Sequence, residues 1–146
     1  MTKPNLLYVW APVVVWCLVI FTFSAIPTLP SAQIIWWDFV IKKSAHIGEY
    51  AILYLLVFRA LHISGRNTTP DKTKTLIALA FTLLYAISDE YHQGFTPGRT
   101  PHIRDIGFDL TGMLLAIYYI YSSAQIFPKL WRYKQHLFFH KIRRKE

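Results

Sequence analysis

The sequence predicts an all-α fold, an integral membrane four-helix bundle with both termini cytoplasmic, and three observations carry that prediction. Of its 146 residues, 53% are hydrophobic and 16% aromatic, and a mean hydropathy of +0.28 is high for a soluble chain of this size. Four mostly apolar runs approach the roughly 20 residues that a bilayer's hydrocarbon core requires of a helix. Lys and Arg fall on alternate connections between those runs, as the positive-inside rule demands.

The first run, residues 6–26, follows only Lys3 and reads as a retained helix, since Phe23-Ser24-Ala25 leads into Pro27 and the stretch is long for a signal peptide. Segment 27–41, with Pro27, Pro30 and Trp36-Trp37, reads as a loop or short helix in the headgroup region, where Trp is at home. The second and third runs cover 44–63 and 74–92, joined by a polar turn over 64–73 with breakers at both ends. The fourth covers 104–123. The chain thus divides into a transmembrane domain over 1–124 and a tail over 125–146, whose alternating aromatics and cations (Phe127, Lys129, Trp131, Arg132, Lys134) suit an anchor on anionic inner-leaflet lipid.

Orientation follows from the 16 Lys and Arg. With both ends inside, the outside holds only Lys42, Lys43, Arg99 and Arg104. The start of the second helix, the end of the third and the start of the fourth then share the extracytoplasmic face, with six of the eight acids: Asp38, Glu49, Asp89, Glu90, Asp105 and Asp109. A net charge of +8 concentrated in the tail and one short loop points to lipid, and no nucleic-acid partner is expected. Cys17 has no second cysteine to pair with and reads as a packing or lipid-facing residue.

Ionisable groups at membrane depth are costly without a role, so this cluster is the candidate site. Residues three and four apart share a helix face, which groups Lys43, His46, Glu49 and Tyr50, then Asp89, His92 and Gln93, then Asp105, Asp109, Gly112 and Ala116. Small residues four apart let membrane helices approach closely. Thr96-Pro97-Gly98-Arg99 suits a tight turn that aims Arg99. The set offers bases and acids in His46, Glu49, Asp89 and Glu90, and cations for an anion in Lys43 and Arg99. Paired carboxylates such as Asp105 and Asp109 suit Mg²⁺, Mn²⁺ or Ca²⁺ better than zinc. Structural alternatives stand beside these roles. Arg99 and Arg104 would neutralise Asp105 and Asp109, His46 and Glu49 would form a buried packing pair, and Lys42 would snorkel. His92 and His102 suit a solvated interface equally well, while His62, His136 and His140 fall on the cytoplasmic side.

The motifs Phe23-Ser24-Ala25-Ile26-Pro27, Lys43-x-x-His46-x-x-x-Tyr50 and Ser88-Asp89-Glu90-x-His92-Gln93-x-Phe95-x-Pro97-Gly98-Arg99, followed by Asp105, Asp109 and Gly112, resemble those of the VanZ-like membrane proteins, a family named for an association with teicoplanin resistance. The resemblance implies a multi-pass protein of the cytoplasmic membrane, an effect on the cell envelope and on glycopeptide susceptibility, and chemistry on a lipid or polyprenyl phosphate: hydrolysis or alcohol exchange at the head group. It implies Arg99 and Lys43 on the phosphate, His46 as nucleophile or base, Glu49 orienting it, and Asp89 and Glu90 as acids, bases or ligands. Asp105 and Asp109 would hold a divalent cation or anchor Arg99, with Tyr50, Ser88, His92 and Gln93 in support. The rival classes are a non-catalytic lipid binder or transporter, an accessory envelope protein, and a purely structural bundle.

Overall fold

The computed structural model describes residues 5–27, 36–64 and 71–126, with the side chain of Asp38 and those of 124–126 outside that description. The described residues form four α-helices and no strand: α1 Leu6–Ser24, α2 Trp36–Ser64, α3 Asp71–Gln93 and α4 Ile103–Ile126. The expected anchor from residue 127 onward and most of the 64–73 turn lie outside the described residues. The chain divides into two compact units, Met1–Ala116 and Ile117–Glu146. The first contains α1, α2, α3 and the opening turns of α4. The described part of the second is the helical continuation to Ile126.

Local chemistry sets the helix ends. The Asn5 side chain accepts the Leu7 N–H at 3.0 Å and caps α1. Asp71 opens α3 with its carboxylate near the positive end of the helix dipole. It also accepts from Lys74 at 3.2 Å and faces His62 of α2 at 3.7 Å. The one large departure from expectation is α2. It begins at Trp36 and runs 29 residues, so the Trp pair and Lys42-Lys43 ride on its first two turns and are not a separate loop. Trp, Phe, Val and Ile in succession carry no helix breaker, and nothing in 36–43 stops the helix.

α2 packs against both α1 and α3, and α1 also meets α3. Asp71 at the start of α3 meets His62 near the end of α2, and Asp89 near the end of α3 lies by Tyr50 midway along α2, so those helices run antiparallel. Asp105 meets Lys43 and Asp109 meets His46 in ascending order along both helices, so α4 starts out parallel to α2. The core is the α2 stripe Tyr50, Leu53, Tyr54, Val57 and Ala60, all at most 1% exposed. Val9, Val13 and Ile20 of α1 and Ala78, Thr82 and Ala86 of α3 pack upon it. The small α3 residues recur every four positions, which keeps that helix close to its neighbours.

Polarity runs inside out. Lys74, Thr82, Asp89, Glu90 and Gln93 of α3 are buried, while Leu76, Ile77, Phe81, Leu84 and Ile87 of the same helix are exposed. Among the described residues two helical stretches, Leu6–Ser24 and Phe39–Ser64, are long and apolar enough to cross a membrane. α3 and α4 have the length, at 23 and 24 residues, but their buried charges lower their hydropathy.

Candidate functional site

α4 approaches α2 closely because Gly112 has no side chain: a Cβ there would overlap the Ile47 carbonyl and crowd the Ala51 nitrogen. Any larger residue would push the helices apart. One and two turns before Gly112, the same face of α4 presents Asp109 and Asp105 to α2. The His46 Nδ1 and the Asp109 Oδ1 lie 2.9 Å apart, with the carboxylate only 2% exposed. One turn earlier on α2, the Lys43 ammonium donates to Asp105 Oδ1 at 2.6 Å. The rings of Phe39 and Phe108 stand 5.6 Å from that ammonium, so a cation is held between two aromatic faces and a carboxylate.

Both pairs border a cavity of about 520 Å³ whose polar lining is Lys42, Lys43, His46, Glu49, Asp89, Gln93, Arg99, Thr100, His102 and Asp105, closed on the α1 side by Ile20, Phe23, Ser24 and Ile26. Seven residues singled out from the sequence thus converge on one space. Glu49 faces it one helical turn from His46, its carboxylate without a hydrogen bond among the described residues. Gln93 donates its amide to Asp89 at 3.0 Å and holds that carboxylate in place. Tyr50, wholly buried below, brings its hydroxyl toward Asp89 without a hydrogen bond of ordinary geometry.

The expected turn forms at 96–99. The Arg99 N–H bonds the Thr96 carbonyl at 3.1 Å, and Gly98 takes φ 78°, the positive value that the second central position of a type II turn requires. The turn does not deliver Arg99 to an acid. The guanidinium donates to the carbonyls of Phe23 at 2.9 Å and Ile26 at 3.2 Å, and Thr96 donates to the Ser24 carbonyl at 3.3 Å. The turn therefore clamps the C-terminal end of α1, where a cation also meets the negative end of the helix dipole. Two of five guanidinium donors are engaged, and Arg99 also lines the cavity. Asp105 and Asp109 take their partners from α2, not from Arg99 or Arg104.

Several expected participants sit elsewhere. Glu90 does not line the cavity. Its Oε1 accepts the His102 N–H and fixes the entry to α4. His92 stacks on Phe21 of α1 with ring centroids 4.4 Å apart, and Ser88 is exposed with its hydroxyl on the Tyr85 carbonyl. His62, not expected at the site, is some 24 Å from His46 along α2 at 1.5 Å per residue. It joins Asp71 and Lys74 there. Among the described residues, no group of three or more His, Cys, Asp or Glu is placed to hold a metal ion. Asp105 and Asp109 already hold Lys43 and His46, and no step is assigned to a cation.

Chemically, the notable unit is the His46–Asp109 pair. An ionised Asp109 accepting from Nδ1 fixes the tautomer that leaves the Nε2 lone pair available as base or nucleophile. The orienting carboxylate is thus supplied by α4, where the sequence pointed to Glu49. Sequence reasoning also passed over Phe39 and Phe108 beside Lys43, and the α1 carbonyls that hold Arg99. The latter leave no side-chain signal beyond the Phe23–Pro27 motif itself.

Compared with known families, the chain matches the VanZ/LLP1 model over residues 8–127. No curated protein and no solved structure matches it.

Proposed function

The chain belongs to the VanZ/LLP1 family, and on that premise we propose that it is a multi-pass protein of the cytoplasmic membrane acting on the phosphate head group of a lipid or polyprenyl-linked envelope precursor, by hydrolysis or alcohol exchange at the extracytoplasmic face. All four helices span in this reading. Its support is the inside-out character of α3, whose Lys74, Asp89 and Glu90 are buried while Leu76 and Leu84 are 64% and 67% exposed. Such a surface is stable against acyl chains and not against water. Both termini are cytoplasmic by the distribution of the 16 cations, and the basic tail rests on anionic inner-leaflet lipid.

The observation that carries the chemistry is the buried His46–Asp109 pair opening on a cavity that also holds Lys43 and Arg99. His46 Nε2 takes the proton of the attacking water or alcohol, or itself attacks phosphorus as the head-group oxygen leaves and then yields the phosphoryl group to that water or alcohol; Asp109 stabilises the positive charge on the imidazole in either case. The remaining donors of Lys43 and Arg99 stabilise charge on the phosphoryl oxygens. Glu49 or Asp89 supplies the proton to the leaving oxygen. A divalent cation, Mg²⁺, Mn²⁺ or Ca²⁺, belongs to this proposal as an added component to be tested and not as an assembled site. In a cell, the expected consequence is an altered envelope and altered glycopeptide susceptibility.

A second reading is a non-catalytic binder or transporter of the same lipid, or an accessory envelope protein. It is favoured by the engagement of both main cations: Lys43 by Asp105, and Arg99 by two carbonyls. A site so braced is suited to holding. The test is purified protein in liposomes offered labelled phospholipids and polyprenyl phosphates, with and without each cation. Release of a head group or phosphate that needs His46 supports the enzyme. Movement of unmodified lipid between leaflets supports the transporter.

A further inference from the structure

A second cavity of about 340 Å³ lies between the end of α3 and the start of α4, among Ile87, Glu90, Tyr91, Phe95, Ile103 and Ile106. It differs from the polar cavity in every respect but one. Its lining is almost wholly apolar, and its rim residues Tyr91, Phe95 and Ile103 are 71%, 70% and 88% exposed. Tyr91 and Phe95 meet edge to face at 5.2 Å, which fixes two aromatic walls. The shared element is His102, which lines this groove and the polar cavity alike.

Beneath the apolar rim lies one charged side chain. Glu90 is 6% exposed, its Oε1 accepts the His102 N–H, and its Oε2 is buried without a hydrogen-bond donor among the described residues. A buried acceptor in this condition destabilises the protein until a donor reaches it. Packing alone does not require a carboxylate here, because a glutamine would serve the His102 N–H equally well.

We propose that this α3–α4 groove seats an acyl chain of a bilayer lipid whose head group reaches the polar cavity past His102, and that Glu90 Oε2 accepts an N–H or O–H of that lipid. The proposal rests on the lipid reading above and adds the route and a recognition element. The groove includes the exposed Ile87, shares His102 with the head-group cavity, and carries an unmet acceptor, Glu90 Oε2, on the residue that holds the His102 N–H. Those features suit a molecule apolar along most of its length with a polar donor near one end.

The experiment places the photoreactive residue p-benzoylphenylalanine at Phe95, in the groove, or at Leu84, which lies on α3 outside the groove and is similarly exposed at 67%. Each protein is reconstituted in phosphatidylethanolamine, whose ammonium donates hydrogen bonds, or in phosphatidylcholine, whose quaternary nitrogen does not. Lipid adducts after illumination are counted by mass spectrometry. The expected result is several-fold more adduct at position 95 than at 84, reduced to the level of 84 by Ile106→Trp, which fills the groove. Phosphatidylethanolamine is expected to label position 95 several-fold better than phosphatidylcholine, and Glu90→Gln to erase that preference. Equal labelling at 95 and 84 overturns the groove, and that comparison needs no core substitution. Equal labelling by the two lipids overturns the role of Glu90. A protein that labels equally at both positions yet releases head groups in a His46-dependent way keeps its function and loses the groove. One that labels selectively without turnover keeps the groove and loses the enzyme.

Discussion

His46 and Asp109 stand 63 residues apart in sequence and 2.9 Å apart in space, the imidazole Nδ1 against a carboxylate that is 2% exposed. The pair forms because Gly112 lets α4 lie against α2 and because α4 starts parallel to α2, so that Asp105 and Asp109 reach Lys43 and His46 in order. Each consequence below can be tested by changing one partner.

Asp109→Asn keeps the shape of the pair but removes the charge that fixes the tautomer of His46. Turnover of lipid in liposomes is expected to fall about 10²–10⁴-fold, the range associated with a lost general base. Folding, read by thermal unfolding in detergent, should change little by comparison. Activity close to that of the unmodified protein would remove Asp109 from the mechanism.

Gly112→Leu forces α4 away from the Ile47 carbonyl. Overpacking of this kind costs about 1–3 kcal/mol and should also part Asp109 from His46. A lowered unfolding temperature together with lost turnover is the expected outcome. Gly107 has open space around it, and Gly107→Ala should leave both unchanged.

Lys43 and Asp105 are 14% and 9% exposed at their side chains, so each depends on the other for its charge. Lys43→Met leaves a buried carboxylate alone, at about 3–5 kcal/mol. The double variant Lys43→Met, Asp105→Leu should recover most of that loss, and a double-mutant cycle from denaturation curves measures the coupling. Additive losses would show that the two side chains do not act as a pair.

Arg99 bridges the carbonyls of Phe23 and Ile26 with two separate nitrogens. Lysine cannot reproduce that fork. Arg99→Lys is expected to lower stability by about 1–2 kcal/mol and to expose the end of α1, read as faster cleavage near residue 26 by an added protease. Cleavage at the original rate would show that the clamp contributes nothing.

What the sequence disclosed depended on the range of the signal. The helices were legible because apolar runs of spanning length are a local property, and the turn at 96–99 because proline and glycine fix it locally. The start of α2 was placed too late, since Trp36, Trp37 and Lys42-Lys43 resemble an interfacial segment in composition while fitting a helix in conformation. Lys43, His46, Glu49, Asp89, Gln93, Arg99 and Asp105 line one cavity, where the arrangement of the helix ends had put them at one face. Pairings between helices were not legible. Spacing along α2 makes Glu49 the natural neighbour of His46, whereas the partner that the bundle supplies is Asp109 on α4. The seat of Arg99 was hidden for a different reason: backbone carbonyls are present at every residue and mark no position. Glu90 and Asp89 are adjacent in sequence, yet they face different cavities because neighbouring helical positions diverge by about 100°.

Whether His46 performs chemistry on a lipid head group is read from head-group or phosphate release by labelled liposomes containing the unmodified protein or His46→Ala. Release is expected from the former and none above background from the latter, with both proteins folded to the same extent. Equal release by the two would contradict a chemical role for His46.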